Sequence, residues 1–112
     1  MMSDRENIKK LLTTVGLGAK ARALISGTDQ ICDALRIERK KPFLVIEANN
    51  TSENTHKRLM DKCAYYGVRL VRIDADTVEL GYAVGKRSSV AAVAITNEGI
   101  CRAITKKLEE NQ

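Results

Sequence analysis

The sequence predicts an α/β/α sandwich around a small mixed sheet of four strands. Stretches with apolar residues at helical spacing alternate with short apolar runs along the whole chain. Two of those runs, FLVIEA (Phe43–Ala48) and VAAVAIT (Val90–Thr96), are nearly continuous, the pattern of strands covered by helices on both faces. No linker, repeat or low-complexity segment interrupts them, so residues 1–112 form a single domain, long enough for a core without staples.

The elements follow in order. Ile8, Leu11, Leu12 and Val15 sit at i, i+3, i+4 and i+7, which predicts a first helix over Asp4–Lys20, with Gly16 and Gly18 weakening its end. Leu24 and Ile25 form a short strand. Ile31, Ala34 and Leu35 mark one buried face of a second helix, which runs to about Glu38 and ends in RKKP, because Pro42 disfavours helix in the residue before it. After the strand Phe43–Ala48, NNTSEN supplies a turn and a cap. A third helix then places Leu59, Met60, Cys63 and Tyr66 inward, leaves Tyr65 on the surface, and closes at Gly67. Val68–Ile73 alternates as a strand. Thr77–Val84 is a short helix burying Leu80, Ala83 and Val84, Gly85–Ser89 a loop, Val90–Thr96 the most apolar strand, and Glu98–Leu108 a last helix on Ile100, Ile104 and Leu108.

Composition excludes several classes. With 44% apolar and 29% charged residues, a disordered chain is not expected. The longest unbroken apolar run is the six-residue VAAVAI, far short of a membrane span. MMSDRENIKK is too polar for a secretory signal, and a cytoplasmic protein is expected. The three cysteines, Cys32, Cys63 and Cys101, are widely spaced with a single histidine, His56, so no zinc-ligand spacing exists. They read as small buried hydrophobes in a reducing cell. The net charge of +5 favours polyanions such as RNA without specifying one.

Catalytic patterns are missing. There is no Gly-x-Ser-x-Gly, no Gly-Lys-Ser/Thr phosphate loop and no Gly-x-Gly-x-x-Gly after a strand. GLG at Gly16–Gly18 falls at a helix end, the wrong context for a dinucleotide. His56, beside Lys57 and Arg58, reads as a solvated side chain, and Glu53 and Asp61 as surface salt-bridge partners. Neither an enzyme nor a cofactor is expected.

The most informative stretch is LISGTDQICDAL, Leu24–Leu35. Gly27, Thr28, Asp29 and Gln30 place exposed amides, a hydroxyl, a carboxylate and a carboxamide in the first turn of the second helix. Ser26-x-x-Asp29 is also a capping-box variant that would satisfy the helix's own amides. The turn is therefore a cap or a gripping surface. In the second case its amides and partial positive charge attract phosphate, Gly27 lets a ligand approach the backbone, and Gln30 offers a donor and an acceptor to a base edge. Lys20, Arg22, Lys86 and Arg87 are candidates for phosphate contacts around it. The basic cluster RIERKK, Arg36–Lys41, falls at the far end of that helix, as a solvated helix end or a second RNA contact.

Three stretches taken together, GLGAKARALISGTDQICDAL, ANNTSENTHKRLMDKCAYYGV and LGYAVGKRSSVAAVAITNEG, resemble the kink-turn RNA-binding ribosomal protein superfamily, in particular a small bacterial branch of it. The likeness runs from about Gly16 to Ile104. It implies the α/β/α sandwich and an RNA surface in two parts, a helix tip falling on Gly27, Thr28, Asp29 and Gln30 and a loop falling on Lys86, Arg87, Ser88 and Ser89. In that superfamily the tip enters the widened major groove of a kink-turn and reads guanines in tandem sheared G·A pairs. This chain departs from the pattern at Asp29, where relatives commonly carry Asn, and at Asp33, where they carry Lys. Asp29 and Asp33 are i, i+4 neighbours whose charges repel phosphate. A non-catalytic protein-interaction module, its Asp29–Asp33 face meeting a basic partner, is the alternative reading of the same fold.

Overall fold

Strands β1 (Leu24–Ser26), β2 (Leu44–Glu47), β3 (Arg69–Arg72) and β4 (Ala92–Ile95) form one sheet in the order β1-β4-β2-β3 in the computed structural model, which describes residues 5–110. β4 pairs antiparallel with β1 and β2, and β2 pairs parallel with β3, so the sheet is mixed. Helices α1 (Arg5–Lys20), α2 (Thr28–Leu35), α3 (Glu53–Tyr66), α4 (Thr77–Ala83) and α5 (Glu98–Glu110) cover it. The expected first residue of α1, Asp4, lies outside the described residues.

The period of two along each central strand divides the core into two layers. Leu44, Ile46, Val93 and Ile95 face α1, α4 and α5, where they meet Ile8, Leu11, Val15, Leu80, Ile104 and Leu108. Val45, Ala92 and Ala94 face the other way, against Ile31 and Leu35 of α2 and Leu59 and Cys63 of α3. All four residues of β2 and of β4 are buried, as expected of runs that lack alternation.

Several expectations are corrected. α2 stops at Leu35, and Glu38–Lys40 forms a separate 3-10 turn, so RIERKK is not the end of a continuous helix. The break precedes Pro42 by a full turn: the Arg36 and Ile37 amides bond back to Asp33 and Ala34, closing α2 by tight turn geometry before proline can act. Gly16 and Gly18 do not fray α1. They let it pack, since a β-carbon on Gly16 would lie 2.8 Å from the Ala83 carbonyl and one on Gly18 3.1 Å from Ile100. Met60 is exposed instead of inward, one position off the Leu59–Cys63 stripe. Tyr66 packs against the core and Tyr65 is exposed, as the spacing indicates, and Gly67 caps α3 in the left-handed region. Among the described residues neither Glu53 nor Asp61 forms an ion pair.

Cys32 and Cys63 are buried and Cys101 is half-buried, which corrects the expectation that all three lie inside. Burial, with Cys32 and Glu47 nearby, pushes the Cys63 thiol up to about 11. The thiolate is the reactive form, so Cys63 is inert near neutral pH and gains reactivity only as pH climbs toward that value. Alkylation of the native protein with iodoacetamide, followed by peptide mass spectrometry, is expected to label Cys101 first and Cys63 only after unfolding.

Candidate nucleic-acid interface

Gly27 leaves β1 with φ 100 and ψ 142, a conformation that side chains with a β-carbon rarely adopt. Its N–H donates to the Ala92 carbonyl at 3.1 Å, tying the turn to the first residue of β4. The first bond within α2 runs from the Ile31 N–H to the Gly27 carbonyl at 3.0 Å, so the amides of Thr28, Asp29 and Gln30 have no partner of that kind. Among the described residues no side chain caps this end. The capping box suggested by Ser26-x-x-Asp29 is therefore absent. Ser26 belongs to β1, and Gly27 occupies the cap position.

Asp29 does something else. Its carboxylate accepts a 2.6 Å bond from Arg58 Nη1 of α3, and Asp33 accepts one of 2.8 Å from Arg36 Nη2. The bond to Asp29 raises the Arg58 pKa, which keeps the guanidinium charged. Both acidic side chains flagged as repelling phosphate thus stand beside an arginine. Exposed pairs of this kind add little stability, but they offset the local negative charge. Gln30 is exposed, its carboxamide folded toward Gly27 and without a hydrogen bond among the described residues.

The loop over Lys86, Arg87, Ser88 and Ser89 reaches the same end of the sheet, because Ser89 leads through Val90 and Ala91 into Ala92, the residue that receives the Gly27 N–H. Its backbone is held on α4: the Lys86 N–H donates to the Gly81 carbonyl at 2.9 Å, and Val90 to Thr77 at 2.9 Å. Gly81 allows this approach, as a β-carbon there would fall 2.3 Å from the Ser88 carbonyl oxygen. Lys86 and Arg87 are exposed and form no ion pair among the described residues. Lys20, the last residue of α1, borders a depression shared with Tyr82 and Gly85 beside this loop. Arg22 is separated from the tip by the length of β1. It lies in a left-handed turn (φ 57) before Ala23, whose carbonyl accepts from Thr96 at the opposite end of the sheet.

A polar cluster missed by sequence reasoning braces the tip end. Glu47, the last residue of β2, is fully buried and follows Val45 onto the α3 side. Its carboxylate lies 2.8 and 3.0 Å from His56 Nδ1 and accepts a bond from the Thr51 hydroxyl. An ionised carboxylate only accepts, so against it Nδ1 is the ring nitrogen that donates. Arg72 of β3 donates from Nη2 to Thr51 Oγ1 at 3.3 Å and from Nε to the Ala48 carbonyl at 3.2 Å. His56 is thus a partner of a buried acid, not the solvated side chain its basic neighbours implied. Arg58 carries no local sequence signal, since its partner Asp29 lies 29 positions away, and nothing in the spacing of Glu47, Thr51 and His56 marks them as partners until the turn between β2 and α3 brings them together.

Among the described residues no cluster of His, Cys, Asp and Glu could hold a metal ion, and no helix is long and apolar enough to cross a membrane. Residues 9–104 match the model of the ribosomal protein L7Ae/L30e/S12e/Gadd45 family. The chain belongs to this family. It is 35% identical to the RNA-binding protein YlxQ of Bacillus subtilis over 85% of this chain and 91% of that one. Over 93% and 95% it is 33% identical to the RNA-binding protein YlxQ of Enterococcus faecium. A Bacillus halodurans protein of unknown function superposes with TM-score 0.80 at 28% identity, covering 89% of this chain and 97% of its own. The fold is also similar to that of a Giardia lamblia 15.5kD RNA binding protein, with TM-score 0.74, 21% identity and coverage of 97% and 90%. This family member therefore shares its sandwich with proteins of widely divergent sequence.

Proposed function

We propose that this protein binds structured RNA of the kink-turn type, in the cytoplasm and without catalysis or cofactor. The binding surface combines the α2 tip, Gly27, Thr28, Asp29 and Gln30, with the loop Lys86, Arg87, Ser88 and Ser89, and Lys20 at its margin. One observation carries the reading: an uncapped helix N-terminus and an unpaired cationic loop meet at the same end of the sheet. Family membership and the YlxQ relatives, named as RNA-binding proteins, support it. Ribosomal RNA is the natural source of such a motif. The tip amides and the Gln30 carboxamide would read the groove, while Lys86 and Arg87 hold phosphates. By preferring the sharply bent conformer over the open one, the surface would shift the RNA toward its folded form. Arg22, at the other end of the sheet, is left out of this surface. The Asp29–Arg58 and Asp33–Arg36 pairs weaken the alternative of an acidic docking face for a basic protein.

Gel-shift titrations against a kink-turn RNA and its G·A-disrupted counterpart test the proposal. The wild type is expected to prefer the intact turn, and Gln30→Ala to lose that preference. The Lys86→Ala/Arg87→Ala variant should bind both RNAs more weakly and lower the slope of log affinity against log salt by about 2. Equal wild-type affinity for the two RNAs would reduce the activity to general polyanion binding.

A further inference from the structure

The outer face of α4 takes no part in the surface described above. Leu80 points into the core, while Val78 and Tyr82, one turn apart, are 67% and 85% exposed. Tyr82 lines two depressions. One, of about 430 Å³, is lined by Val78, Tyr82 and the backbone and side chains of the loop from Gly85 to Ser89. The other, of about 380 Å³, includes Lys20 and Gly85. Among the described residues no carboxylate lines either depression. Lys20, Lys86 and Arg87, which do line them, have no ion-pair partner among the described residues.

We infer that Tyr82, flanked by Val78, is a stacking seat for an unpaired nucleotide that flanks the folded RNA, with the adjoining phosphates held by Lys20, Lys86 and Arg87. The inference rests on the proposed RNA function and adds to it a class of ligand, single-stranded nucleotides continuous with the structured motif. Exposed aromatic rings between unpaired cations are the combination by which proteins hold single strands, the ring taking the base and the cations tracking the backbone. The close approach of Gly81 to Ser88 pins the loop to α4, so ring and cations keep a common frame before any ligand arrives. Tyr65 is a useful contrast. It is 82% exposed, but it leans edge-on against Tyr66 at 4.9 Å on α3, away from this loop.

The test uses the full chain and fluorescence-anisotropy titrations with a kink-turn RNA, blunt or extended by a short adenosine overhang at either end, and the same set with the G·A pairs disrupted. An overhang at one end is expected to raise wild-type affinity roughly tenfold, the scale of one stacked base. Tyr82→Phe and Tyr65→Ala should keep that gain, whereas Tyr82→Ala should lose it while binding blunt RNA as the wild type does. A gain that persists in Tyr82→Ala, or no gain from either overhang, overturns the stacking seat and leaves an acidic protein segment as the patch's occupant. The comparison of blunt intact with blunt disrupted RNA does not involve Tyr82. Failure there strikes the kink-turn proposal alone, and the overhang comparison is read separately.

Discussion

Replacing His56 with alanine is expected to lower folding stability by about 3 kcal/mol, although the residue sits on a helix facing solvent on one side. The reason is Glu47, whose carboxylate has no exposed surface and depends on His56 and Thr51 for its hydrogen bonds. Removing the imidazole leaves a buried carboxyl group with Thr51 as its one hydrogen-bond partner. That is the costly way to break a buried pair, and the figure is set at the low end because Thr51 remains. Substituting both members behaves differently. Glu47→Leu with His56→Leu places apolar groups beside Val45, Leu59 and Cys63, and is expected to recover most of the loss. Urea denaturation of wild type, single and double variants gives the comparison. A His56→Ala protein with an unchanged midpoint would show that the pair is not a structural brace.

Changing Gly27 to alanine is expected to be the most damaging single substitution at the proposed RNA surface. Two effects combine. The backbone at φ 100 disfavours any β-carbon, at roughly 1–3 kcal/mol for such strained conformations, and the new methyl would lie 2.5 Å from the Gln30 Oε1 atom. Relief requires rotating the turn or displacing the Gln30 carboxamide. The exposed carboxamide can swing aside at little cost, whereas relieving the backbone strain rotates the turn, which moves the amides of the α2 tip and loosens the Gly27–Ala92 bond that holds the tip beside β4. Calorimetry should show a lowered melting temperature. RNA titration well below that temperature should show at least a tenfold loss of affinity for the kink-turn, an order-of-magnitude figure for displacing one hydrogen-bonded contact group. Full RNA affinity in a Gly27→Ala protein would mean that the tip is not the contact surface.

The layers of this fold are legible in the order of residues because burial imposes local periods. The run LVIE in β2 and AVAI in β4 lack alternation since helices press on both faces, and Leu59 and Cys63 repeat at helical spacing since one stripe of α3 meets the sheet. Where the reading failed, the decisive contact was distant. Gly16 looks like a helix breaker until α4 is laid across it, and Met60 looks inward until the phase of α3 is set by its neighbours. The candidate site divides in the same way. The Gly27–Gln30 turn and the Lys86–Ser89 loop were visible as composition at the ends of predicted elements. The absence of a cap, by contrast, depended on which residue left β1 with positive φ.

By itself, then, the order of residues determined the alternation of helices and strands, the two-sided burial of the central strands, and the placement of small and polar residues at one helix start, all consequences of short-range periodicity and turn chemistry. Only the tertiary structure decided that tip and loop share one end of the sheet, that Arg58 meets Asp29, that His56 serves Glu47, and that Tyr82 stands among unpaired cations. Some of these meetings join residues far apart in the chain, 29 positions for Arg58 and Asp29, and even the nine positions between Glu47 and His56 are spanned by a turn that no helical or strand period marks. Coulombic and hydrogen-bond energies depend on distance in space, which the β1-β4-β2-β3 topology sets and no local window of sequence contains.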